Sequence, residues 1–202
     1  MLAEVITDQK VIAITFDDGP NPEYTPQFLA AFEEYSSKAT FYTIGQQLEL
    51  YPEIAKLIHE QGHELGNHTY SHPNLTELDQ TQQKSELDRT DKLIAQITGE
   101  KPRTFRAPFL QSNDELENVI KEFTYLSIGA LNVETKDWEQ PGVEFILDKT
   151  RDYIRNGSIL LFHDGFGDRS QSLAAIKILV PELLAQGYQL VTVSELLQLK
   201  DL

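Results

Sequence analysis

The sequence predicts an α/β fold: a parallel sheet with helices on its outside, closed into a TIM-like barrel. Three observations predict it. Short apolar runs suited to strands alternate with helical patterns in about seven units along the 202 residues, and such alternation sets parallel strands side by side. No repeat, low-complexity tract or linker divides the chain, so one domain over residues 1–202 is expected. The residues with chemical reach fall just after predicted strands, where a barrel builds its active site.

VIAITF (11–16) is an unbroken apolar run, as expected of a strand buried on both faces. A helical pattern covers 26–35, and ATFYTI (39–44) reads as the second strand. The second helix opens at Tyr51-Pro52, with proline at a permitted first-turn position. Its residues Ile54, Leu57 and Ile58 share one face, and Gly62 stops it. A long helix spans 79–97, with Leu87, Ile94 and Ile97 among its apolar positions, and Gly99 and Pro102 close it. Short strands are expected at 104–106, 125–128 and 131–133, and a helix at 143–155. SILLF (158–162) is a further buried strand. A helix over 173–186 and a strand over 189–193 complete the chain, with Ser194 able to cap a last short helix.

Net charge is 17 − 32 = −15. That disfavours a nucleic-acid backbone or an anionic membrane as partner, since both need positive charge. The absence of cysteine removes disulfides, thiolate zinc sites and a cysteine nucleophile. No stretch is long and apolar enough to span a membrane, and MLAEVITDQKV shows no signal peptide. No G-x-S-x-G elbow occurs, and GFGDRS (165–170) lacks the third glycine of a dinucleotide loop.

Four of the five histidines crowd into HEQGHELGNHTYSH (59–72); the fifth is His163. His59 to His63 spells H-E-x-x-H, which binds zinc only when both imidazoles share a helix face. Gly62 falls where the helix should stop, so that geometry is lost and His59 belongs on a solvated flank. His68 and His72 repeat the spacing inside a loop bracketed by Gly66 and Pro73. Two histidines alone make an ordinary packed or surface pair; a metal site needs a further ligand. TFDDGP (15–20) can bring one. Asp17 and Asp18 directly follow a buried strand, where adjacent carboxylates are costly unless paired, solvated or metal-bound. One aspartate with two histidines leaves an open position for water or substrate, as in a catalytic zinc site, and the other aspartate is then available as a base. His163, Arg106 and Asp137-Trp138 also follow predicted strands. Each alone reads as structural; their shared placement makes them site candidates.

These residues resemble the polysaccharide deacetylase family, carbohydrate esterase family 4, with its NodB homology domain. Five motifs stand in the family's order: TFDDGP, HTYSH (68–72), RAPF (106–109), ETKDW (134–138) and LFH (161–163). The resemblance implies a deformed (β/α) barrel and metal-dependent removal of acetyl groups from carbohydrate. It implies Asp18, His68 and His72 as ligands of one divalent metal; zinc suits them, and so do cobalt, nickel or iron. Asp17 would be the general base and His163 the general acid, with Arg106 holding the charge of Asp17 and Asp137 that of His163. Trp138 and Leu161 would shape a pocket for the acetyl methyl, and the Phe109 N–H would support the oxyanion. His63 would be structural. Phe109 stands where the family usually has tyrosine, Leu110 where glycine often follows, and Glu134 where aspartate is usual. These departures bear on substrate preference and leave the implied ligands, base and acid intact. The family also implies a cell-surface or extracellular location.

The expected reaction is N-deacetylation of N-acetylglucosamine units in chitooligosaccharide or peptidoglycan glycan. An O-acetyl esterase acting on acetylxylan would use the same residues. A relative that only binds carbohydrate would use Tyr70, Phe109, Trp138 and Phe166 as stacking surfaces; the intact Asp17, Arg106, Asp137 and His163 argue against it. An acetylated carbohydrate is the expected partner, and the chain is expected to act as a monomer.

Overall fold

A computed structural model describes residues 1–199. The elements are β1 (Val11–Asp17), α1 (Thr25–Glu33), β2 (Thr40–Thr43), α2 (Gly45–Leu50), α3 (Pro52–Glu60), β3 (Glu64–Asn67), α4 (Gln80–Thr98), β4 (Thr104–Phe105), α5 (Asp114–Glu122), β5 (Leu126–Ser127), α6 (Val143–Arg151), β6 (Ile159–His163), α7 (Ser170–Ala185), β7 (Gln189–Leu190) and α8 (Val193–Gln198). The strands form one sheet in the order β5-β4-β3-β2-β1-β6, with β7 on β1, and every pairing is parallel. This is the expected α/β architecture, curled into a deformed barrel.

β1 is buried along its whole length, and its two faces meet different surroundings. Ile12, Ile14 and Phe16 point to the helices, where Phe16 packs on Phe28, Phe41 and Phe32 at centroid distances of 4.6, 5.0 and 5.8 Å. Val11 and Ala13 pack on the other face with Tyr42, Ile128 and Ile159. Alternation along the same strand points Thr15 and Asp17 that way too. Arg106, fully buried, reaches Thr15 and Asp17 there.

The barrel is deformed at two places. β7 wedges in beside Val11 and Ile12, and Lys38 N–H donates to Leu190 O. Residues 2–5 fill the slot between β5 and β6. Leu2 N–H donates to Ser127 O and Leu2 O accepts from Gly129, while Ala3 O accepts from Ile159 and Val5 N–H donates to Gly157 O.

Several expectations need correction. Residues 131–133 do not form a strand; Val133–Thr135 is a 3-10 turn. The buried Asn132 side chain makes the ladder bonds instead, donating to Leu161 O at 3.0 Å and accepting from Leu161 N at 2.6 Å. An amide side chain so mimics a strand neighbour. Thr192, not Ser194, caps α8, with Glu195 completing a capping box. Ser194 lies inside that helix and donates to Glu64. α6 stops at Arg151, short of 155, and β7 ends at Leu190, short of 193. α2, β3 and α5 are elements the sequence reading passed over.

Candidate active site

β1, β3, β4 and β6 all end at one mouth of the barrel, and the chemistry-bearing side chains sit there. Asp17 ends β1 and His163 ends β6, and the two are register partners across the paired strands. Arg106 follows β4. Its Nη1 donates to Asp17 Oδ1 and to Thr15 Oγ1, both at 2.7 Å, and Nη2 donates to Gly129 O at 2.9 Å. The guanidinium also lies over the Tyr42 ring, 4.3 Å from its centroid. A buried arginine needs these partners, and in return it gives Asp17 a fixed positive neighbour.

Asp18, His68 and His72 converge beside this pair. Their nearest ligand-type atoms all lie within 4.8 Å of one another. His72 Nε2 is 3.2 Å and His68 Nε2 is 3.5 Å from Asp18 Oδ1. His68 Nδ1 is 2.7 Å from Arg106 O. A carbonyl can only accept, so that nitrogen carries the proton, and in the neutral ring Nε2 presents its lone pair toward Asp18. Asp18 Oδ1 is buried and satisfied by no hydrogen bond. A buried carboxylate oxygen without a donor is costly, and a cation between it and the two imidazole nitrogens would satisfy it. The donor set therefore fits a divalent metal. Burial opposes charge on Asp18, but the neighbouring imidazoles of His68, His163 and His72 outweigh it and hold its pKa at about 2.

His163 is fixed from behind. Its Nδ1 is 2.8 Å from Asp137 Oδ1, and its own N–H donates to Asp137 Oδ2 at 2.9 Å. Ser172 Oγ donates to the same carboxylate at 2.7 Å. Burial works against the charged imidazole, yet the Asp137 carboxylate overrides it, and the pKa rises to about 9. His163 is then an imidazolium at neutral pH.

A cleft of about 440 Å³ opens over these groups. Leu161 and Trp138 line it beside His163, with Trp138 edge-on to the imidazole at 5.1 Å between centroids. Phe109 and Phe166 stand exposed at the rim on either side of His72, 4.8 and 6.3 Å from its ring. Phe109 and Leu110 both have positive φ, 58° and 53°. Leucine thus holds a turn that suits glycine and puts its side chain into the cleft lining. Glu134 is exposed and takes the Tyr153 hydroxyl, away from the cleft lining.

Tyr70 departs from expectation. Its ring is buried under the Arg89 guanidinium, and its hydroxyl donates to Glu49 at 2.7 Å. It is a packing residue of the loop and not part of the cleft wall. His59 is exposed on α3. His63 is buried between Phe32 and Phe41, accepts from Ala39 N–H, and is kept neutral by burial, which lowers its pKa to about 4. Neither lies in the Asp18 cluster. The sequence reading missed Arg169, which lines the cleft and donates to Gly165 O and Trp138 O, tying two loops together. An arginine in a strand-to-helix loop has no pattern that announces such a role.

Comparison with known proteins agrees with this geometry. A profile described as polysaccharide deacetylase matches residues 4–128. A peptidoglycan-N-acetylglucosamine deacetylase of Bacillus cereus is 41% identical over 199 residues, covering 98% of this chain and 92% of that protein. The chain belongs to the polysaccharide deacetylase family. Another family member, a chitooligosaccharide deacetylase of Azorhizobium caulinodans, is 35% identical over 200 residues, covering 93% of this chain and 95% of its own. The fold is also that of the polysaccharide deacetylase family: the crystal structure of a peptidoglycan N-acetylglucosamine deacetylase superposes with a TM-score of 0.91 at 28% identity, over 96% of this chain and 91% of that one.

Proposed function

We propose that this chain is a metal-dependent N-deacetylase acting on N-acetylglucosamine units of chitooligosaccharide or peptidoglycan glycan, releasing acetate and leaving a free amine. One observation carries the reading. Asp17 and His163 stand at partnered positions on neighbouring strands, each fixed by its own oppositely charged residue, and both border the Asp18–His68–His72 cluster. The motifs run from residue 15 to residue 163, and we read residues 1–202 as one catalytic unit.

Asp18, His68 and His72 would hold the cation, zinc or another ion that accepts two imidazoles and a carboxylate. Once bound, such an ion polarises an amide carbonyl and acidifies water. Asp17 takes the proton of the attacking water, while Arg106 pairs with its carboxylate and aims it. The Phe109 N–H, which has no hydrogen-bond partner in the chain among the described residues, meets the charge developing on the carbonyl oxygen. His163 delivers its proton from Nε2 to the leaving nitrogen, a step an amine requires because it leaves poorly as an anion. Leu161 and Trp138 enclose the acetyl methyl.

The test is acetate release from an N-acetylglucosamine oligomer by zinc- or cobalt-loaded protein, with a chelator control. Release that the chelator abolishes is the expected result. No release from protein with metal bound would overturn N-deacetylation and direct the assay to O-acetyl substrates such as acetylxylan.

A further inference from the structure

His68 and His72 sit on backbone that resists its own conformation. Thr69 has φ 69° and His72 has φ 59°. A β-branched residue at positive φ is uncommon and strained, so it persists only where the surroundings over-determine it. Here they do so through side chains. All four main-chain N–H groups from Thr69 to His72 donate to side-chain oxygens. Thr69 N donates to Asn67 Oδ1 at 2.8 Å, Tyr70 N and Ser71 N donate to Glu86 Oε2 at 2.9 and 2.8 Å, and His72 N donates to Thr69 Oγ1 at 3.0 Å.

Two of these anchors trace back to α4. Glu86 lies on it and also accepts from Ser71 Oγ at 2.9 Å. Asn67, fully buried at the end of β3, is oriented by α4 as well: its Nδ2 reaches Leu87 O at 2.9 Å, Asp91 Oδ1 at 2.8 Å and Tyr125 Oη at 3.0 Å. Tyr125 in turn donates to the same Asp91 oxygen. A continuous relay therefore runs Asp91, Asn67, Thr69, His72. The loop carbonyls are taken on the opposite side by α2, where Gly45 N donates to Thr69 O and Gln46 N to Tyr70 O. A Cβ at Gly45 would stand 2.5 Å from the Tyr70 ring, so only glycine lets α2 approach this closely.

We propose that Asp91 and Glu86 of α4 are positioning residues for the metal ligands, setting the conformation of the His68–His72 loop before any ion binds. The proposal rests on the ligand assignment given above. Neither residue lines the cleft or belongs to the three-residue donor set, so any effect on metal binding must pass through the loop.

The experiment measures metal binding rather than turnover. The full chain and its Glu86→Ala, Glu86→Gln, Asp91→Ala and Asp91→Asn variants are stripped of metal and titrated with zinc against a chromophoric chelator. The visible spectrum of the cobalt form and the melting temperature of the metal-free form are recorded beside it. Loss of a residue supporting a metal ligand typically weakens affinity by about 10- to 100-fold. That loss is expected for both alanine variants, with a changed cobalt spectrum. The glutamine and asparagine variants keep an acceptor oxygen and should recover most of the affinity. Alanine variants with wild-type zinc affinity and cobalt spectrum would overturn the proposal, whatever their melting temperature, because α4 would then serve the fold alone. If Asp91→Ala does not fold, since it strips Asn67 and Tyr125 of an acceptor, Glu86→Ala decides the matter from a half-buried position. Wild-type protein that fails to bind zinc would instead overturn the ligand assignment, and with it this proposal.

Discussion

As the proposed base and acid, Asp17 and His163 would need opposite charge states, and the chain supplies each with a neighbour of opposite sign, Arg106 and Asp137. Asp17→Asn removes the proton acceptor but none of the three candidate ligands. Its acetate release should fall by about 10²–10⁴ or more while zinc affinity stays near wild type; a near-normal rate would remove Asp17 from the base role. The acid has its own signature. In the acid role proposed for His163 imidazolium is the active form, and its pKa is raised to about 9, so kcat/KM should decline as pH rises through that region. A cation beside Asp18 would cancel part of the carboxylate field on His163 and draw this limb to lower pH. Asp137→Asn deletes the carboxylate that stabilises the charged ring, so the decline must begin at lower pH than in wild type. A basic limb that does not move would assign proton donation elsewhere. At this scale the motif residues were legible because each follows an apolar strand or stands in a short polar cluster. Tyr70 misled because an aromatic residue between two histidines suggests a sugar contact, and only the packing shows it under Arg89.

Elements were legible in proportion to their length and the strength of their end signals. α4 has nineteen residues, an Asp79–Gln82 capping box and Gly99 in a left-handed C-cap, φ 80°. Asp79→Ala should lower stability by about 1 kcal/mol in chemical denaturation, with no change in metal affinity if only the helix end frays. β1 and β6 declared themselves as continuous apolar runs. β3 did not, because Gly66 reads as punctuation. In the fold that glycine lets the Tyr42 ring pass close by: a Cβ there would stand 2.5 Å from ring carbons. Gly66→Ala should therefore cost about 1–3 kcal/mol or more, read from the denaturation midpoint, since overpacking forces ring and strand apart. α2 has six residues, too few for a periodic pattern, and its apolar positions merge with the strand before it. α5 carries readable signals, an Asn113 cap and an acidic first turn, in the segment between two motifs. Residues 131–133 look like a strand in composition, but Asn132 spends its side chain on the ladder and the backbone turns away.

For the whole molecule, closure of the barrel depends on a segment with no chemistry. Residues 2–5 supply four main-chain hydrogen bonds across the slot between β5 and β6, each worth about 1 kcal/mol net. Deleting residues 1–5 should lower the melting temperature. It should also raise amide exchange at Gly129 and Ile159, whose N–H groups donate into that segment. Unchanged exchange there would show that the barrel closes without it. The mouth of the barrel, by contrast, is held by Arg106, which reaches Asp17, Thr15 and the 128–129 backbone at once.

By itself the sequence determined the α/β class, the family and the candidate residues for chemistry, because each of these is written locally: in apolar runs, helix ends and short motifs. Tertiary structure alone decided which of those residues meet. The register of β1 against β6 sets Asp17 beside His163, residues far apart in the chain. The relay from α4 through Asn67 sets the loop that holds His68 and His72. Such pairings depend on where distant backbones cross, and no local pattern of side chains encodes that crossing.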